Sequence, residues 1–134
     1  LFVDFYKKAM ENQGKKIDDN NLDEMKILMD SLIKNKLGKM FISYTAEGKP
    51  GSMAFMGIDN KCSHYIFGAN EPKLKRSHTG TAVLWDSFKF LKMVGVKFVN
   101  LEGVNSPFRG WYKLSFGGNL KPYYRLTLNS KNSV

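Results

Sequence analysis

Apolar residues in this chain keep a helical spacing as far as Ile33 and an alternating one from Lys39, and that change of period restricts the fold more than any other feature. Before it, Phe2, Phe5, Tyr6, Ala9 and Met10 mark one face of a helix over residues 2–12, with Gly14 as its stop. Leu22, Met25, Met29, Leu32 and Ile33 mark a second helix over about 21–35, with Asn21 and Glu24 at capping-box spacing. After it, Lys39–Thr45 alternates, Glu47–Gly51 is a turn cluster, Ser52–Ile58 is a second strand, and Asp59–Lys61 turns into Cys62–Ala69. Three consecutive strands with short turns predict an antiparallel meander.

The rest of the chain returns to alternating element types. A polar, basic linker, Glu71–Gly80, precedes a helix running to about Val94, with Leu84, Trp85, Phe88 and Leu91 on its buried face and Gly95 ending it. Lys97–Leu101 reads as a short strand. Ser106-Pro107 is a helix start for Pro107–Phe116, with Ser as N-cap and Pro in the first turn. Pro122–Leu128 reads as a last strand and 129–134 as a polar tail. The order is α-α-β-β-β-α-β-α-β. Because the later β-α-β step needs a parallel crossover, the fold class is α+β, a mixed sheet with helices on both faces. At 134 residues the chain has room for one domain, with no internal repeat.

Composition then excludes several classes of function. One cysteine and two histidines argue against a disulfide framework and a Cys/His zinc site, so no metal is expected. No apolar run is long enough to span a bilayer, and no signal-peptide pattern is present. The net charge of +9 is unevenly placed: residues 1–67 carry 10 Lys/Arg against 9 Asp/Glu, and residues 68–134 carry 11 against 3. Such a field favours an anionic partner in the second half, whether phosphate, nucleic acid or an anionic membrane surface, although a solubilising surface has the same composition.

The stretch Lys73, Lys75, Arg76, Ser77, His78, Thr79 and Gly80 combines cations with small and hydroxyl residues at a helix N-terminus, where backbone N–H groups bind phosphate. His64 sits in a strand and reads as structural. Asp86 and Glu102, the acids nearest in sequence, form no evident pair, and no Ser-His-Asp or Cys-His arrangement stands out.

Glu102-Gly103-Val104-Asn105-Ser106-Pro107, leading into Arg109-Gly110-Trp111-Tyr112-Lys113-Leu114-Ser115-Phe116-Gly117-Gly118 and Leu120–Tyr124, resembles the C-terminal acyltransferase domain of the Fem family. These are the peptidoglycan bridge-forming aminoacyltransferases and their GNAT-like kin. The aromatic-Lys-x-x-Phe-Gly-Gly segment is the most specific part, and the element order matches over roughly residues 22–128. The resemblance implies one GNAT-like domain over 1–134, the C-terminal half of a longer two-domain cytoplasmic enzyme; Leu1 in place of methionine fits that expectation.

It further implies transfer of an aminoacyl or acyl group to an amine of a phosphate-bearing peptidoglycan precursor. The donor is aminoacyl-tRNA or acyl-CoA and no cofactor is permanently bound. Possible partners are tRNA and, through a lipid-linked substrate, the membrane surface. Lys113 falls on the family's lysine that steadies charge at the reacting carbonyl, and Arg76 falls nearest the diphosphate-contacting region. Asn105, Arg109, Tyr112 and Tyr123 are expected to line an acceptor channel, with Tyr124 beside them. The GNAT helix-start pattern Arg/Gln-x-x-Gly-x-Gly/Ala recurs with one extra residue in Arg76-Ser77-His78-Thr79-Gly80-Thr81-Ala82. Two other readings share the residues: an acyl-CoA-dependent N-acetyltransferase acting on a sugar amine, and a non-catalytic basic module binding RNA or an anionic lipid precursor.

Overall fold

Phe2, Ala9 and Met10 are buried along one side of helix α1 (Phe2–Glu11), as their spacing requires. The computed structural model describes residues 1–12 and 14–128, apart from the side chains of Lys75 and Phe108; the predicted tail at 129–134 lies outside the described residues. Helix α2 (Asp19–Lys34) begins ahead of the predicted Asn21 start, because the Asp18 carboxylate accepts from the Asn20 N–H and caps it there. Lys7 Nζ donates to Asp19 Oδ1 at 2.8 Å, tying α1 to α2. The meander follows as β1 (Gly38–Tyr44), β2 (Pro50–Asp59) and β3 (Cys62–Asn70), all antiparallel.

The linker predicted as loop contains 3-10 turns over Pro72–Ser77, started by the Glu71 carboxylate accepting from Lys73 N–H. Helix α3 (Thr79–Met93) then crosses to β4 (Phe98–Asn100), which lies parallel to β3 and closes the order β1-β2-β3-β4.

Two layers cover the sheet, and strand alternation shows which side each faces. Met53 and Phe55 of β2 pack with Phe2, Met25 and Met29, and Met40 and Ile42 of β1 join that cluster against α1 and α2. The intervening residues meet α3. Phe41 sits edge-on to Phe90 at 5.6 Å, Lys39 Nζ lies 4.2 Å from the same ring, and Ser43 Oγ donates to the Thr79 carbonyl at 2.6 Å. Strand β2 is therefore buried on both faces, which is why its sequence lacks the polar alternation of β1. Full burial of a side chain such as Phe55 contributes roughly 1.5–3 kcal/mol. Gly38 has no room for a side chain: a Cβ there would lie 2.6 Å from Phe55 Cζ and 2.8 Å from Leu32 Cβ.

Three expectations are corrected. Trp85 is exposed on α3; Leu84 and Leu91 are buried as expected, Phe88 is half-buried, and Val83 and Ser87 complete the buried face, because the helical register turns position 85 away from the sheet. Ile33 is also exposed, at the end of α2. Pro122–Leu128 forms no strand, and Tyr123, Tyr124, Leu126 and Leu128 are all exposed. An alternating segment becomes a strand only by pairing with an edge, and none of the described residues pairs with it.

The chain divides into two compact units, Leu1–Glu102 and Gly103–Val134. In the second, α4 (Pro107–Leu114) starts after Ser106 with Pro in its first turn, as predicted. Buried Gly110 lies against the Val104 carbonyl, leaving no space for a Cβ. Among the described residues no helix is long and apolar enough to cross a membrane.

Candidate active site

The first unit has an opening built into its sheet. Strands β3 and β4 pair only over Cys62↔Phe98, Ser63↔Val99 and His64↔Asn100. Strand β3 continues to Asn70, still paired with β2 through Ser52, so Ile66–Asn70 has no strand partner on its other side among the described residues. A bulge falls at the same place: Phe55 pairs with Phe67 and Met56 with Tyr65, leaving Ile66 as the extra residue. Bulges re-aim side chains where pairing ends. Here both Ile66 and Phe67 pack on the α1–α2 side, while the Tyr65 ring lies over the space a Gly68 Cβ would need. Beside Phe67 a shallow groove is lined by Asn21, Glu24, Met25 and Leu28 of α2.

The open half of β3 leads directly into the basic connection. Lys73 and Arg76 are exposed, and so is His78, which holds a left-handed backbone at φ 56° before α3. Helix α3 has no side-chain cap and no acid in its first turn, and its first intrahelical N–H bond runs from Ala82 to the His78 carbonyl. The N–H groups ahead of Ala82 are therefore not consumed by the helix, and they carry the positive end of its dipole. Gly80 is half-buried, and the side chain of Lys75 lies outside the described residues.

Two residues read from sequence as anion ligands do a different job. Buried Thr79 shares a hydrogen bond with Ser52 Oγ at 2.9 Å, and its hydroxyl also lies 3.3 Å from Ser77 Oγ. Ser77 Oγ itself donates to the Leu74 carbonyl at 2.5 Å. The Thr79 hydroxyl locks the connection onto β2, and the Ser77 hydroxyl braces the turn from within. Gly51 permits the lock, since a Cβ there would lie 2.5 Å from Thr79 Oγ1.

A pair that sequence reading missed stands at the last rung of the β3–β4 ladder. His64 Nδ1 lies 3.1 Å from Glu102 Oε1, both side chains partly exposed. The residues are 38 apart in sequence and only the parallel register brings them together. Asp86 is likewise paired, with Lys89 one turn on at 2.6 Å, on the exposed side of α3.

In the second unit, Lys113 is half-buried on α4 and its ammonium donates to the Gly103 carbonyl at 3.0 Å. Tyr112 packs edge-on to Phe116 at 5.4 Å, while Trp111 is exposed. Asn105, Arg109 and Tyr123 are exposed, and among the described residues no hydrogen bond or ring contact joins the three.

The fold can now be placed among solved structures. A predicted acetyltransferase of Clostridium acetobutylicum, crystallised with acetyl-CoA, superposes with a TM-score of 0.69 at 16% identity, covering 95% of this chain and 86% of that one. Glucosamine-6-phosphate N-acetyltransferase from Arabidopsis thaliana gives 0.63 at 14%, with 95% and 88% covered. An aminoglycoside 6′-N-acetyltransferase from Acinetobacter baumannii gives 0.62 at 14%, with 99% and 90% covered. The chain therefore has the GNAT-like acetyltransferase fold; at such identities the likeness concerns the fold alone. No protein-family model matches the sequence, and no curated protein does.

Proposed function

We propose that the protein is an N-acyltransferase that moves an acyl group from a phosphate-bearing thioester donor of the acyl-CoA type to a primary amine. One observation carries this reading: β3 runs on past its last rung with β4 and ends in a cationic connection at the uncapped start of α3. An open strand edge offers unpaired amide groups to an extended, amide-bearing arm. A phosphate at the arm's end meets backbone N–H groups of the first turn of α3, with Arg76 and Lys73 supplying positive charge around it. The groove beside Phe67 gives the amine an apolar bed with one carboxylate, Glu24, to attract it. The likeness to an acetyltransferase crystallised with acetyl-CoA supports the choice of donor.

Calorimetric titration with acetyl-CoA tests the donor. Saturable binding that weakens in Arg76→Ala is expected, and no binding at millimolar acetyl-CoA overturns the proposal. Steep salt dependence with RNA or anionic vesicles, and no turnover with any amine, would instead assign the basic face to a binding module.

A second reading keeps amide formation and changes the substrates: an amino acid passes from aminoacyl-tRNA to a phosphate-bearing cell-wall precursor. It rests on the resemblance of residues 109–118 and on Lys113, whose ammonium is held in place by the Gly103 carbonyl. In an assay of the full-length protein with those substrates, Lys113→Ala should lower turnover by about 100-fold, the usual loss for one charge-stabilising donor. Wild-type turnover in that variant removes the second reading.

A further inference from the structure

His64 is the last β3 residue paired with β4, where the strands part, and Glu102 lies just beyond the end of β4. The carboxylate of Glu102 reaches back to His64 Nδ1 at 3.1 Å. Glu102 holds this position through a left-handed backbone, φ 63°, a conformation that costs a non-glycine residue free energy. Asn100 supports it, its Oδ1 accepting from the Glu102 N–H at 2.8 Å. With side-chain exposures of 39% for His64 and 47% for Glu102, neither group is sealed in the core. A carboxylate accepting from Nδ1–H fixes the imidazole tautomer and leaves the Nε2 lone pair free to take a proton. Nε2 has no hydrogen-bond partner among the described residues. His64 thus stands, oriented and accessible, beside the opening in the sheet.

We infer that His64 is the proton acceptor of the transfer step and that Glu102 is its positioning residue; this rests on the acyl-transfer reading above. In the step, the lone pair of a neutral amine attacks the thioester carbonyl carbon. The new N–C bond forms, the C–S bond breaks, and the sulfur leaves with the electron pair as thiolate. The nitrogen loses one proton to His64 Nε2, and the resulting imidazolium returns that proton to the thiolate or to solvent. The products are amide and free thiol, with nothing oxidised or reduced. The Glu102 carboxylate stabilises the imidazolium while it exists.

The test uses the full-length protein with acetyl-CoA as donor probe and a set of primary amines that includes glucosamine 6-phosphate and sisomicin, with thiol release as readout. His64→Ala should bind acetyl-CoA as the wild type does and lose about 100-fold or more in kcat, the usual share of a general base. Imidazole added to the assay should recover part of that loss, which a merely structural histidine would not allow. Glu102→Gly, which relieves the left-handed backbone and removes the carboxylate, should lower kcat about 10-fold with acetyl-CoA affinity unchanged. Glu102→Gln, which keeps an acceptor for Nδ1–H, should fall between that variant and the wild type. Should His64→Ala fail to fold, the Glu102 variants decide. Unchanged kcat in the folded His64→Ala protein, or in Glu102→Gly, overturns this inference while the acyl-transfer reading survives. No acetyl-CoA binding and no thiol release by the wild type overturns both.

Discussion

Thr79→Val is the perturbation that best tests how the start of α3 is held. Valine keeps the shape of threonine, so it opens no cavity, and the Thr79 carbonyl still accepts from Ser43 Oγ. What is lost is the partner of Ser52 Oγ, on a residue only 1% exposed. A buried hydroxyl left without its partner costs about 1–3 kcal/mol. Unfolding entropy of about 2.1 cal/mol/K per residue then sets the scale for a chain of 134 residues. The expected fall in Tm is about 4–11 °C, read by thermal circular dichroism. Ser52→Ala should cost less, because the Thr79 hydroxyl keeps Ser77 Oγ at 3.3 Å as a second partner. The double variant should cost clearly less than the two singles together, since removing both partners leaves little unsatisfied. An unshifted Tm in Thr79→Val, or strict additivity in the double variant, would refute the lock.

Three further outcomes follow from the packing and charge. Gly68→Ala places a Cβ against the ring and hydroxyl of Tyr65, so the ring must move and stability should drop by about 1–3 kcal/mol; an unchanged denaturation midpoint refutes that contact. Leu84→Ala, at a side chain 1% exposed between α3 and the sheet, should cost about 2–5 kcal/mol in the same measurement, and a loss well under 1 kcal/mol would place Leu84 outside the core. The third concerns pH. The hydrogen bond from Lys7, then its charge, holds the Asp19 carboxyl below its ordinary 3.8, and the same contacts hold Lys7 above its ordinary 10.5. The pair's contribution is therefore present between those values. It is lost as pH falls through the depressed Asp19 value, or rises through the raised Lys7 value. Both groups lie at the surface, so the effect should be small and erased by salt. A stability difference between wild type and Asp19→Asn that persists unchanged in acid well below 3.8 would contradict it.

The Lys7–Asp19 bridge and the Ser52–Thr79 lock show where sequence reading stops. Helices α1 to α4 and strands β1 to β4 were legible because periodicity, turn residues and Pro positions act within a few residues of each other. The alternation read in Lys39–Thr45 holds in the structure: Phe41 and Ser43 meet α3 while Met40 and Ile42 join the opposite cluster, because strand geometry sends neighbours to opposite faces. The basic connection was legible too, as a cluster of charge next to a helix start.

The chemistry of individual hydroxyls and acids was not legible, because it depends on partners far away in the chain. Ser77 and Thr79 carry the composition of a phosphate loop, yet their hydroxyls are used to bind Leu74 and Ser52. Pro122–Leu128 alternates like a strand, but a strand is made by its neighbour and none of the described residues pairs with it. Glu102 shows no pairing signal in the sequence; the three-rung parallel ladder carries it to His64. Local order was written in the spacing of residues, since backbone sterics and side-chain direction are short-range. Which groups are free to do chemistry was decided by strand register and burial, since only folding brings remote residues within hydrogen-bonding distance.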